Sequence, residues 1–275
     1  MYGFDSYVAI GDSFTEGLND ALPDGSFRGW ADRLAEILAA GRTDFRYANL
    51  SLRGKMLDEI MEEQLPIALE LKPDLVTLCA GGNDIIVPGA DVDAVAERLE
   101  EGVAKLREAG IPVLMFNGPD TKVLSVMSVL RGKVAIYNTH LWAIAERHGA
   151  RMVDLWAMAP LHDRRAWSDD RLHFSADAHR RIALKSAEVL GIPVEGDWRE
   201  PWPPEAVPSR WIDSRRSDLT WTKVHLLPWI RRQLRGESMG DGLSPKRPQL
   251  APLAPLTPLA PLDVLEVPDN AQQAS

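Results

Sequence analysis

Short apolar runs alternate with amphipathic stretches through the first two thirds of the chain. Tyr7–Ile10, Phe45–Leu50, Leu75–Cys79, Val113–Phe116 and Arg151–Trp156 are compact enough to read as buried strands. Between them the apolar residues fall at helical spacing. Trp30–Ala40 carries Leu34, Ile37 and Leu38 on one side and is ended by Gly41. Leu57–Leu71 predicts a second helix with a break at Pro66, and Asp93–Ala109 a third, stopped by Gly110. Lys122–His148 predicts a long helix with an interruption near Gly132, and Ser175–Leu190 a last one, stopped by Gly191. Regular alternation of strand and helix predicts an α/β fold with a parallel sheet covered on both faces.

The alternation stops near Gly191, and composition shows why. The chain has 275 residues, 45% hydrophobic and 26% charged, with a net charge of −9. Residues 1–196 hold 21 basic and 30 acidic groups, whereas residues 197–275 hold ten of each. That last segment also carries 12 of the 20 prolines and five of the nine tryptophans. Residues 197–249 therefore read as an irregular Trp/Arg/Pro-rich extension packing on or near the core, with a short helix within Trp221–Leu234. From Leu250 the chain repeats Pro-Leu every third residue up to Leu262. Residues 250–275 are expected to be disordered or polyproline II, since three residues per turn would set the leucines along one edge.

The acidic balance argues against a nucleic-acid partner. One cysteine, Cys79, excludes an intrachain disulfide or a thiolate zinc site, and its place in an apolar run predicts an inert core thiol. No apolar stretch is long enough to span a bilayer, and the opening residues lack the marks of a signal peptide, so cytoplasmic residence is expected.

Four clusters look unlike packing. Gly11-Asp12-Ser13-Phe14 directly follows the first strand, at the strand ends where open parallel sheets bind ligands. Ser13 is there either as a nucleophile or as a helix N-cap. Asp170-Arg171-Leu172-His173 places a carboxylate three residues before an imidazole, close enough to curl back and orient it. Asn83, in Gly81-Gly82-Asn83-Asp84 after the third strand, is either an oxyanion donor or a turn asparagine. Gly54 offers its N–H at close approach or simply turns the chain.

Taken in chain order, Gly11–Phe14, Gly54, Gly81–Asp84 and Asp170–His173 resemble the four blocks of the SGNH hydrolases, also called GDSL esterases/lipases. The resemblance covers about residues 5–192. It implies a three-layer α/β/α, flavodoxin-like fold for residues 1–196 and hydrolysis of a small or lipid-like acyl ester. By that likeness Ser13 is the nucleophile, His173 the base and Asp170 the triad acid. Ser13 N–H, Gly54 N–H and the Asn83 amide match the oxyanion hole. Phe14 stands where the family name has Leu, an apolar residue in either case. The mechanism implied needs no metal and no organic cofactor. A carbohydrate or peptide deacetylase, or a scaffold working through its extension, are the alternatives.

Several other residues carry expectations. Asp12 is expected to anchor the loop by accepting backbone hydrogen bonds. Asp154 is expected to support the Asp170 loop, and His179 to lie on the surface of the last helix. His162 sits in a loop near the site. Trp167 and Phe174 flank the proposed triad and are candidates, with Met127, for the acyl pocket. The Val123–Leu130 stretch is more apolar than a helix with one solvated face requires, which suggests that part of it lines an acyl cleft. Arg210–Arg247 has nine basic and four acidic groups. It is expected to dock on the acidic main domain, the other possibility being weak contact with a membrane surface or a protein.

Overall fold

The structure is a computed structural model that describes residues 3–124, 127–204, 239–240 and 242–253. Five parallel strands, β1 (Ser6–Gly11), β2 (Arg46–Asn49), β3 (Leu75–Cys79), β4 (Val113–Phe116) and β5 (Arg151–Val153), form the sheet. A sixth, β6 (Arg247–Pro252), joins it antiparallel to β2, and the order is β5-β4-β3-β1-β2-β6. The order reverses between β1 and β3, and that switch point is where a doubly wound sheet opens a crevice above its carboxyl ends.

The helices are α1 (Ser13–Glu16), α2 (Gly29–Ala39), α3 (Leu57–Glu59), α4 (Leu65–Leu71), α5 (Gly82–Ile86), α6 (Val92–Glu108), α7 (Arg131–His148) and α8 (Ala176–Leu190). Alternate side chains of β1 divide the core. Tyr7 and Ala9 pack with Trp30 and Leu34 of α2 and Ile182 of α8. Val8 and Ile10 pack with Ile60, Leu99 of α6 and Tyr137 of α7 on the other face. The result is the expected three-layer α/β/α arrangement.

Three departures from the sequence reading have physical causes. The helix expected over Leu57–Leu71 widens into a π turn at Ile60–Gln64, just before Pro66. Proline has no N–H to donate and its ring crowds the preceding turn, which the wider turn relieves. The single helix expected over Lys122–His148 is instead two 3₁₀ turns, Thr121–Val123 and Met127–Leu130, followed by α7. Asp120 closes this loop, accepting from Lys122 N (2.9 Å) and pairing with the Arg131 guanidinium (2.6 Å). The tail boundary also moves, because Leu250–Pro252 are strand rather than polyproline II. The helix expected within Trp221–Leu234 and the Pro-Leu repeat past Leu253 lie outside the described residues.

Among the described residues, no helix is long and apolar enough to cross a membrane. Trp198 and Trp202 of the extension pack partly buried against the α2/α8 side of the core. Arg165 and Arg181 lie over the Trp202 ring, at 5.3 and 4.7 Å from its centroid.

Candidate active site

The site is built where β1 ends. Gln64, carried inward by the π turn, pairs with both backbone groups of Gly11: its amide donates to Gly11 O (2.9 Å) and its carbonyl accepts from Gly11 N (2.8 Å). The side chain thus stands in for a neighbouring strand and stops the ladder one residue before Asp12. Gly11 itself has no room for a Cβ, which would lie 2.5 Å from Cys79 O.

The one-turn helix α1 follows. The N-cap that Ser13 suggested belongs to Asp12, whose carboxylate accepts from Phe14 N at 3.0 Å. That frees the Ser13 hydroxyl, which meets His173 Nε2 at 2.8 Å, while His173 Nδ1 meets Asp170 Oδ2 at 2.7 Å. An ionised Asp170 only accepts, so Nδ1 keeps its proton and donates it in the hydrogen bond to Asp170, leaving Nε2 as the acceptor for the serine hydroxyl.

Asp170 is held tightly. Its Oδ1 accepts from Ser168 Oγ (2.7 Å) and from Leu172 N and His173 N (both 3.0 Å). Its Oδ2 also accepts from Asn19 Nδ2 at 2.6 Å, and the same amide donates to Ser168 Oγ at 2.8 Å. Burial alone would raise the Asp170 pKa. The His173 hydrogen bond and charge, with the Ser168 and backbone donors, outweigh it and hold the carboxyl well below the usual carboxylate range. Arg171 takes a left-handed φ of 50° to make this turn, strain of the kind stored at functional loops.

On the facing side, Gly54 turns the chain after β2 at φ 79°. The Asn83 amide, at the start of α5, donates to Lys55 O at 2.9 Å and so ties its own turn to the Gly54 loop. Asp84 accepts from Leu57 N at 3.1 Å and reinforces that link. Burial lifts both Asp12 and Asp84 to about 6.

Ser13, Gly54, Asn83, Asp170 and His173 all border one cavity of about 330 Å³, whose lining is mostly apolar. Met127, Trp167 and Phe174 line it too, with Leu124 and Leu130 of the 3₁₀ segment. Val134, Tyr137 and Leu141 of α7 extend the apolar wall, and Met239 of the extension closes part of it. Trp167 and Phe174 bridge as an antiparallel pair, rings 4.5 Å apart. Cys79 also borders the cavity, where burial pushes its thiol up and keeps it protonated.

Two neighbouring expectations fail. His179 is fully buried beneath the site rather than on the helix surface. Its Nδ1 accepts from Trp30 N at 3.1 Å, and burial lowers its pKa to about 4. Asp154 does not support the Asp170 loop; it accepts from Asn117 Nδ2 (2.7 Å) and Ala157 N (3.1 Å). His162 meets Trp156 O at 2.9 Å and does not line the cavity. Asn19 and Ser168 were not singled out in the sequence: Asn19 is 149 and 151 residues from Ser168 and Asp170 along the chain, and Ser168, two residues before Asp170, is a common loop residue.

A flavodoxin-like sheet with a serine, an imidazole and a carboxylate meeting at its switch point is the architecture of a hydrolase. The sequence pattern of the GDSL-like lipase/acylhydrolase family matches residues 9–181, and the chain belongs to that family. Among solved structures it is similar to Axe2, an acetylxylan esterase from Geobacillus stearothermophilus, at 18% identity and a TM-score of 0.57, over 71% of this chain and 96% of that one. It is also similar to TesA, at 23% identity and a TM-score of 0.56, over 67% of this chain and 97% of that one. These likenesses show the shared fold. Among curated proteins, the chain is 34% identical over 96 residues to a pyridoxine 5'-phosphate synthase of Synechococcus sp. (strain JA-2-3B'a(2-13)). That match covers 34% of this chain and 40% of that protein, so the chain spans well under half the length of this relative.

Proposed function

We propose that the chain is a serine esterase that cleaves an acyl ester through Ser13, His173 and Asp170. The carrying observation is the Ser13–His173–Asp170 relay, with contacts of 2.8 and 2.7 Å, at the edge of the apolar cavity. His173 Nε2 takes the hydroxyl proton as Ser13 Oγ attacks the acyl carbon. Asp170 stays ionised and stabilises the imidazolium that forms. The developing oxyanion is received by Ser13 N–H, Gly54 N–H and the Asn83 amide, each contributing about 3–4 kcal/mol of barrier lowering. The imidazolium then protonates the departing alcohol. Water, deprotonated by the same imidazole, attacks the acyl-serine and releases the acid.

The cavity favours an apolar acyl group larger than acetyl. Its volume lies within the range of small-molecule sites, and its walls offer aliphatic and aromatic carbon with the polar groups gathered at Ser13. An acetyl group would leave the wall of Leu124, Met127 and Leu130 uncovered. Hydrolysis of p-nitrophenyl esters graded from acetyl to palmitoyl tests both statements. The proposal expects kcat/KM to rise with chain length before it falls, and Ser13→Ala to lose turnover on every ester. Retained turnover in Ser13→Ala would remove the mechanism. A profile that peaks at acetyl would favour a deacetylase.

A further inference from the structure

The C-terminal segment reaches the backbone of the serine's own turn. Lys246 Nζ donates to the carbonyl oxygens of Glu16 (2.6 Å), Phe27 (3.0 Å) and Arg28 (2.9 Å), and pairs with Asp32 Oδ2 at 2.6 Å. The ammonium is thus surrounded by three carbonyls and one carboxylate, and only 20% of the side chain remains exposed.

Glu16 closes α1, the turn that Ser13 opens. Its carbonyl is among the last of that turn, where a cation is favoured. Its carboxylate points elsewhere: it accepts from Arg53 N at 2.7 Å and from Arg53 Nε at 3.1 Å. Arg53 is the residue before Gly54. One side chain therefore ties the serine's turn to the Gly54 loop, and Lys246 holds that residue by its backbone. The cage is braced again from below. Asp32 Oδ1 accepts from Tyr47 OH (2.7 Å), Tyr47 OH accepts from Asn49 Nδ2 (3.0 Å), and that amide also donates to Thr15 O (3.1 Å). The Arg53 guanidinium lies over the Phe27 ring, 5.0 Å from its centroid, and Lys246 binds the Phe27 carbonyl.

We infer that Lys246 is a positioning residue that acts through Glu16 and Arg53 to fix the Ser13 and Gly54 N–H groups against the reacting carbonyl. It makes the segment past the family's matched span part of the working site, and it rests on the reading of Ser13 as nucleophile. Lys246 itself does not border the substrate cavity, so its removal leaves binding surfaces in place. Without the cation, three carbonyl dipoles and the Asp32 carboxylate face one another unneutralised, and the cage opens. Small displacements of preorganised donors slow the chemical step more than they weaken binding.

The test compares full-length wild type, Ser13→Ala, Lys246→Met and Lys246→Ala on p-nitrophenyl butyrate, with thermal unfolding of each. Lys246→Met is expected to lose about tenfold in kcat with KM held within about twofold. Propylammonium chloride, filling the space left in Lys246→Ala, is expected to restore kcat where sodium chloride at equal ionic strength does not. The inference fails if Lys246→Met turns over like wild type while Ser13→Ala is dead. It also fails if the loss follows only the unfolded fraction and no amine restores it. An active Ser13→Ala would overturn the serine reading, and this inference with it.

Discussion

Two sides of the same cavity are built by opposite means. The serine's side is polar and cross-tied: Gln64 on Gly11, Asp12 on Phe14, Asn49 on Thr15, Glu16 on Arg53, Asn83 on Lys55. Backbone groups of Gly11, Phe14, Thr15, Arg53 and Lys55 are each held by a side chain, all but that of Phe14 by one from a distant part of the chain. The facing wall is carbon. Leu124, Met127 and Leu130 stand on short 3₁₀ turns and pack mainly on one another, Ile86, Trp167 and Leu172. Hydrogen bonds have narrow geometry and fix donors to tenths of an ångström, whereas apolar packing tolerates changes of shape and volume. The contrast assigns rate to the first side and acyl preference to the second.

Substitutions should separate the two. Asp170→Asn is expected to cost the most, about 10⁴-fold in kcat, because His173 loses the tautomer that accepts the serine proton. Steady-state kinetics with KM unchanged would bear this out. Asn83→Ala is expected to cost about 10²–10³-fold in kcat, since it removes a proposed oxyanion donor and also frees Lys55 O. Met127→Glu should act differently, abolishing preference for long acyl chains while acetyl ester turnover stays near wild type. A ratio of long- to short-chain activity that does not move would break the division of labour.

A smaller effect concerns stability and pH. Burial lowers the His179 pKa from 6.5 to about 4, so between those values the unfolded chain binds a proton that the folded chain refuses. Its stabilising contribution is complete above pH 6.5 and is lost as pH falls toward 4, amounting to about 3 kcal/mol. Asp12 and Asp84, raised to about 6, have the opposite sign: their contribution is present below 3.8 and lost as pH rises through 6. His179→Asn, which keeps an acceptor for Trp30 N, isolates the first effect. Its deficit in unfolding free energy relative to wild type is expected to shrink from pH 7 to pH 4 in urea titrations. A deficit independent of pH would remove His179 as the cause.

The core strands and the four site blocks were legible because each is a local signal: an apolar run, a glycine, a polar residue at a strand end. What escaped the sequence reading was set by tertiary contacts. His179 sits on a helix whose other buried positions are mostly carbon, with Arg181 and Ser186 the polar exceptions, and nothing local says that its ring will face Trp30 N. Thr121–Leu130 has the composition of a helix, yet Leu124, Met127 and Leu130 line a cavity rather than one face of a cylinder. Strand β6 contains Pro248 and Pro252, which argue against a central strand. At the edge of the sheet a missing N–H leaves no ladder bond unmade, so the prolines are tolerated there. Lys246 is one basic residue among many in the extension, and only the fold brings it to Glu16.

The central claim is that Ser13 is a nucleophile activated by His173. It is tested most directly by reacting the full-length protein with a fluorophosphonate and locating the adduct by peptide mass spectrometry. The account predicts one stoichiometric adduct on Ser13, absent from Ser13→Ala and strongly slowed in His173→Ala. An unlabelled wild type, or a Ser13→Ala protein that labels as fast as wild type, would contradict it.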